Sequence, residues 1–550
     1  MKKQFLSVVT VLGLCLSLLP PTVLATDETG SEGESAGAEQ PAHVAHCICG
    51  AAHTAVGDHT TESLITDWTG VDELADITAS GHYYLTGDTT LEDYWQEINN
   101  VDDDVVLCLN GHTITVHNTK ADDYIRINHG KLTLTDCKGG GAITSSGNYG
   151  KVVRMLGSDS VLNLYAASIK GISVGSQYYG GGVRNTGTFN MYSGSIENNY
   201  TAGYASRGAG VYNDLNSTFQ MYGGTIKNNI AFSLNSGLGN DVYVTKGSTF
   251  YANSGTVAGE VINEGTITVS QDYTGTTFGG DVENKGTIED GSFRDSITNS
   301  GTIRGGTFQS VTNSGTIAGG TFNHMVINNN TITGGTFNQM VTNEGTITGG
   351  TFCSNAVNRK TIKGGSFCYM SNSGTITGAS FSENMINSGT IDSCTFLGTV
   401  TNTGTISGSS FQKAVINNGV IVFKDERAYA ENKSFIVETG TGCVQVGTGD
   451  TTKYYLCDGT PTEGTAVYLT EEGVFALRMD TDTATLVVAS YKGNTLDCVK
   501  LVSLTSNIYK KSFSELGLNT SGTESVKAFI WTDMEAFAPL CVAQEVALNK

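Results

Sequence analysis

The sequence predicts an all-β fold: a parallel β-helix of long coils that continues into a narrower β-solenoid and ends in a β-sandwich. Three observations carry that expectation. A unit V-x-N-x-G-T-I-x-G-G-T-F recurs every 14 or 15 residues from about residue 260 to residue 423. Glycine makes up 70 of 550 residues but proline only 5, a balance that suits many tight corners and argues against collagen. Charged residues are 15% and hydrophobic residues 39%, too little charge and too much apolar side chain for a disordered chain. A formal net charge of -22 argues against nucleic-acid binding, which needs a basic face.

Residues 1–25 read as a cleaved secretion signal. Lys2 and Lys3 form the charged start, Phe5 to Leu19 the apolar core, Pro20 and Pro21 the break, and Val23-Leu24-Ala25 the cleavage site. The apolar run is shorter than the ~20 residues a spanning helix needs. The mature chain is therefore expected outside the cell, secreted or on the cell surface, with no transmembrane segment. Residues 26–62 are an acidic linker that carries His43, His46, Cys47, Cys49, His53 and His59. Imidazole and thiolate at such spacing can hold zinc, and His46, Cys47, Cys49 and His53 are the candidate ligands. A local disulfide or a merely polar linker is the alternative.

Residues 63–260 are assigned to long coils. Gly181-Gly182-Val183-Arg184-Asn185 and Met191-Tyr192-Ser193-Gly194-Ser195-Ile196 return about 30 residues later as Gly210-Val211-Tyr212-Asn213 and Met221-Tyr222-Gly223-Gly224-Thr225-Ile226. Leu107-Cys108-Leu109-Asn110-Gly111-His112 is echoed by Leu132-Thr133-Leu134-Thr135-Asp136-Cys137. These segments resemble the right-handed parallel β-helix repeats of bacterial surface adhesins, the pectin-lyase-like superfold. The opening coils and the H-C-I-C-G leader are similar to exported β-helix proteins of low-GC Gram-positive anaerobes. The resemblance spans roughly residues 43–260 and implies a right-handed helix and an exported origin. Asp102-Asp103-Asp104 and Asp122-Asp123 offer a weak calcium site near the first coils, or solvated loops.

Residues 261–423 are the short-coil solenoid. Val341, Asn343, Gly345 and Ile347 are two apart, so their side chains share one direction and face inward. Asn299, Asn313, Asn328, Asn343, Asn358, Asn372, Asn387, Asn402 and Asn417 recur at one position. They are expected to stack as a buried ladder whose amides hydrogen-bond along the axis. The phenylalanines from Phe293 to Phe411 fill another side. Thr302, Thr316, Thr331 and Thr346 face outward, as do Thr307, Thr321, Thr336 and Thr351; such a rank suits an exposed strand face or a glycan. Cys353 and Cys368 each follow a core phenylalanine, 15 residues apart, and are disulfide candidates.

Residues 424–550 are assigned to an Ig-like β-sandwich, from strand-like segments such as Thr485 to Tyr491 and Val526 to Trp531. No catalytic residue is assigned: nucleophile elbow, P-loop and the acid sets of polygalacturonases are absent from the sequence. The expected role is a non-catalytic, adhesin-like scaffold that binds glycans or cell-surface proteins through an extended face. The alternative is a polysaccharide lyase or glycoside hydrolase.

Overall fold

A computed structural model describes residues 43, 45–46, 48, 65–92, 95–117, 123–147, 149, 151–175, 179–203, 206–232, 239–448, 452–462, 466–469, 473–477, 484–504, 508–519, 521–531 and 543–548. The chain divides into Met1–Val44 and Ala45–Lys550. The secretion signal expected at residues 1–25 lies outside the described residues, and the fold below is that of Ala45–Lys550. No helix among the described residues is long and apolar enough to cross a membrane.

Apart from two longer strands, the solenoid is built from strands of two to five residues, paired in parallel from one coil to the next. A short coil has three: Val311–Asn313, Thr316–Ile317 and Thr321–Phe322. The next coil repeats them in register, with Asn313 opposite Asn328, Ile317 opposite Ile332 and Phe322 opposite Phe337. The three resulting ladders are termed the Asn, Ile and Phe faces. Strand alternation explains burial: Val341, Asn343, Ile347 and Phe352 are at most 1% exposed, while Thr342, Glu344 and Thr346 between them reach solvent. Phenylalanine rings stack from Phe278 to Phe411 at centroid spacings of 4.4–5.6 Å, a range in which aromatic pairs attract beyond their area burial.

The corners need glycine for two separate reasons. At Gly345 a Cβ would lie 2.1 Å from the Asn330 carbonyl oxygen, so the coils approach too closely for any side chain. Gly350 has φ +108°, a region L-residues avoid. At two coils one corner is lost altogether: Thr351–Asn358 and Ser366–Asn372 run straight from the Phe face into the Asn face.

The narrowing is graded, where the sequence suggests a step at residue 260. Equivalent Asn-face positions fall at Val183, Val211, Val242, Val261, Val282 and Ile297. The long coils carry an extra ladder, Ser173–Gly175, Tyr200–Ala202 and Ile230–Phe232. Beyond it the coils shorten over two turns before the regular short repeat sets in.

The solenoid also ends later than its repeat does. Val420–Phe423 pairs in parallel with Cys443–Val446, which turns the pairing antiparallel with Lys453–Leu456 and then Pro461–Thr462. Between them a helix, Glu426–Asn432, starts on Asp425, whose Oδ1 accepts the Ala428 N–H at 2.8 Å. Asn432 Oδ1 accepts the N–H of Phe411 at 2.9 Å, so the helix sits over the last phenylalanine rung. Ile436, Val444, Val446 and Cys457 belong to the solenoid core. The charges at Lys424 to Arg427 therefore mark a surface helix within the cap. The sandwich core begins at Val467, where two antiparallel sheets, of three and four strands, close over Leu486, Val488, Val526 and Ile530.

Candidate functional site

Inside the Asn face, a chain of amides runs from Asn263 to Asn417. Each Nδ2 donates to the Oδ1 of the asparagine one coil on, at 2.6–2.8 Å. The run stops at Asn417, which donates to the Cys443 carbonyl at 2.9 Å. At its other end the Asn263 Oδ1 accepts nothing, because Val244 occupies the preceding rung. All these asparagines are buried and closed to a ligand, so the ladder is a structural element.

The outer surface of the same face is open. Its central outward residues from coil to coil are Thr298, Thr312, Ile327, Thr342, Val357, Ser371, Ile386, Thr401 and Ile416. None carries charge, in a chain of net charge -22. Ile386 and Ile416 are 58% and 44% exposed, and Met325, Met340 and Tyr369 beside the strands are exposed as well. Charges sit elsewhere and pair across coils, as in Arg304 with Glu289 and Arg359 with Glu344, both at 2.5 Å. Thr302, Thr307 and their counterparts stand on the Ile and Phe faces, in register from rung to rung.

Among the described residues, Asp103 and Asp104 turn to separate partners. Asp103 Oδ2 accepts the backbone N–H groups of Asn99 and Asn100 at 2.8 Å each, which holds its carboxyl below the usual range. Asp104 pairs with Lys131 at 2.7 Å. These two carboxylates close a loop and face separate partners; Asp122 lies outside the described residues. His129 Nδ1 lies 2.8 Å from Asp159 beside a shallow depression lined by Asn99, Asn128, Leu156 and Gly157. The histidine lowers the Asp159 carboxyl. His117 Nδ1 lies 2.9 Å from Ser146 Oγ. Both pairs join residues one coil apart, a proximity that sequence spacing alone does not reveal.

A third arrangement lies on the outer side of the first coils. Strand Asp104–Cys108 pairs with Lys131–Thr135, and Cys137 follows two residues later. Buried Asp136 ties both turns, accepting the N–H groups of Gly111 and Gly141 at 2.7 Å each. Asn110, at φ +54°, donates to the Leu85 carbonyl at 2.9 Å and accepts from the Cys137 thiol at 3.7 Å. Beside these turns lie His46 and Ile48. His46 forms an antiparallel bridge with Ile65, its ring stacks on Trp68 at 4.4 Å, and Ile48 packs against Tyr165. The donor atoms of His46, Cys108 and Cys137 lie within 4.8 Å of one another. Cys137 and then burial push the Cys108 thiol up. Of the zinc ligands expected from sequence, His46 is placed here, whereas Cys47, Cys49 and His53 lie outside the described residues.

Cys353 and Cys368 are both thiols. They follow the paired Phe352 and Phe367, but the register shifts immediately afterwards, and the expected bridge is not formed. Cys443 and Cys457 are buried at the cap, Cys498 lies in the sandwich, and Cys541 is outside the described residues. No family model, curated protein or solved structure matches the chain.

Proposed function

We propose that the protein is an exported, non-catalytic scaffold, related to the surface β-helix proteins of Gram-positive bacteria, that binds an extended glycan or protein through the outer Asn face. The observation that supports this reading is the uncharged strip from Thr298 to Ile416. At ~4.8 Å per rung its nine central residues cover roughly 40 Å. A partner laid along it displaces water from methyl and hydroxyl groups without desolvating a charge, the costly step in burying a surface. Threonine hydroxyls supply donors and acceptors, and Ile386 and Ile416 supply apolar contact for sugar C–H faces or side chains. The two-lysine start and apolar core of residues 1–25 support export.

The test is a glycan array and a panel of cell-wall polysaccharides and surface proteins, probed with the wild-type chain and with Thr342→Lys and Ile386→Lys. Binding that either substitution abolishes, with no shortened saccharide released, is the expected result. Unchanged binding, or cleavage products in the supernatant, overturns the reading.

A further inference from the structure

We infer that His46, Cys108 and Cys137 form a zinc site that clamps the leader segment onto the outer side of the first coils. The donor set is one imidazole and two sulfurs, the combination that suits zinc over the oxygen-seeking cations. Zn–S bonds of ~2.3 Å and Zn–N bonds of ~2.0–2.1 Å in a tetrahedron separate neighbouring ligand atoms by roughly 3.5–3.8 Å. The three atoms already lie within 4.8 Å of one another, so closure onto an ion needs a movement of about 1 Å or less.

The two sulfurs are held there by the fold. Cys108 ends a strand in register with the next coil, and Cys137 opens the turn that Asp136 fastens through Gly111 and Gly141. The third donor comes from a different stretch of chain, and it is buried. Among the described residues the leader is paired by one isolated bridge, His46 to Ile65, so a metal bond would add a second fastening. Loading balances simply: Zn2+ displaces one proton from each thiol, two protons leave to solvent, and the ion with two thiolates is neutral overall. Zinc's fourth position is left to water.

The experiment uses the full chain purified without chelator or reductant. Elemental analysis is expected to find one zinc per chain, and cobalt exchanged into the site is expected to show sulfur-to-cobalt charge-transfer absorption. Cys137→Ser and His46→Ala should each lose the stoichiometric metal, while Cys353→Ser keeps it. Cys108 is fully buried, so its variant is replaced by His46→Ala, which alters the leader and leaves the coil core intact; circular dichroism checks the fold. Three outcomes overturn the inference: a chain without zinc after loading, a cobalt spectrum lacking the sulfur bands, or a Cys108–Cys137 disulfide in the peptide map.

Discussion

Val244 is the residue at which a polar ladder fails for want of one amide. It stands between Asn213 and Asn263 in register, and the Asn263 oxygen accepts no hydrogen bond. Burying a new amide ordinarily costs several kcal/mol when it finds no partner. At this position the partners are waiting. Val244→Asn is therefore expected to leave the urea midpoint unchanged or raise it, whereas Val341→Asn, inside an apolar column, should lower stability by roughly 2–4 kcal/mol. A midpoint that falls equally in both variants contradicts this account. Asp241 makes a second residue-level test. It is buried and accepts N–H groups from Asn229 and Gly259, yet burial outweighs these bonds and raises its carboxyl. The folded state thus holds the proton more tightly than the unfolded chain. Its contribution to stability is fully present below the ordinary aspartate value of about 4 and is lost as pH rises through the raised value. Unfolding midpoints of wild type minus Asp241→Asn, measured from acid to neutral pH, should fall as pH rises. Inward asparagines were legible in the sequence because Val341, Asn343 and Ile347 share one parity. The His46–Cys108–Cys137 grouping was not, since nothing local relates residue 46 to residues 108 and 137.

At the scale of the element, the coil corner decides what the repeat tolerates. Gly345 and Gly139 look alike in the sequence, each a glycine in a glycine-rich turn. In space they differ: a Cβ at Gly345 meets the Asn330 oxygen at 2.1 Å, while one at Gly139 meets nothing within 4 Å. Gly139 does have φ +79°, so alanine there carries only the backbone strain of about 1–2 kcal/mol. Gly345→Ala should cost clearly more, because two coils must separate. Thermal unfolding of the two variants ranks them, and an equal loss would argue against close approach as the reason for glycine. The three-strand coil could be read from two-residue spacing broken at glycine pairs. The extra ladder from Ser173 to Phe232 could not, because its strands are three residues long and follow no strict alternation of apolar and polar residues.

Across the whole solenoid, a parallel stack leaves an open edge at its end, and open edges invite pairing with another chain. Here the edge is closed by antiparallel strands and by the helix over Phe411. A chain ending at Phe423 should therefore associate with rising concentration by light scattering, under conditions where the full chain does not. Scattering that matches the full chain would mean that the cap serves another purpose. The sequence marked the end of the repeat at Phe423 but not the end of the solenoid, because Cys443–Val446 continues the stack without the Asn, Ile or Phe signature.

The head-to-tail run of amides from Asn263 to Asn417 has a consequence for how such a molecule changes in length. From Asn284 to Asn402 each rung offers the same oxygen upward and the same N–H groups downward, beside the same isoleucine and phenylalanine. Within the regular three-strand rungs the ladder therefore carries no address: one such rung fits on another. Gain or loss of a whole 15-residue unit would lengthen or shorten the strip by ~4.8 Å while leaving each contact as it was, so that reach is free to drift by duplication while the two differently built ends keep the count of open edges constant.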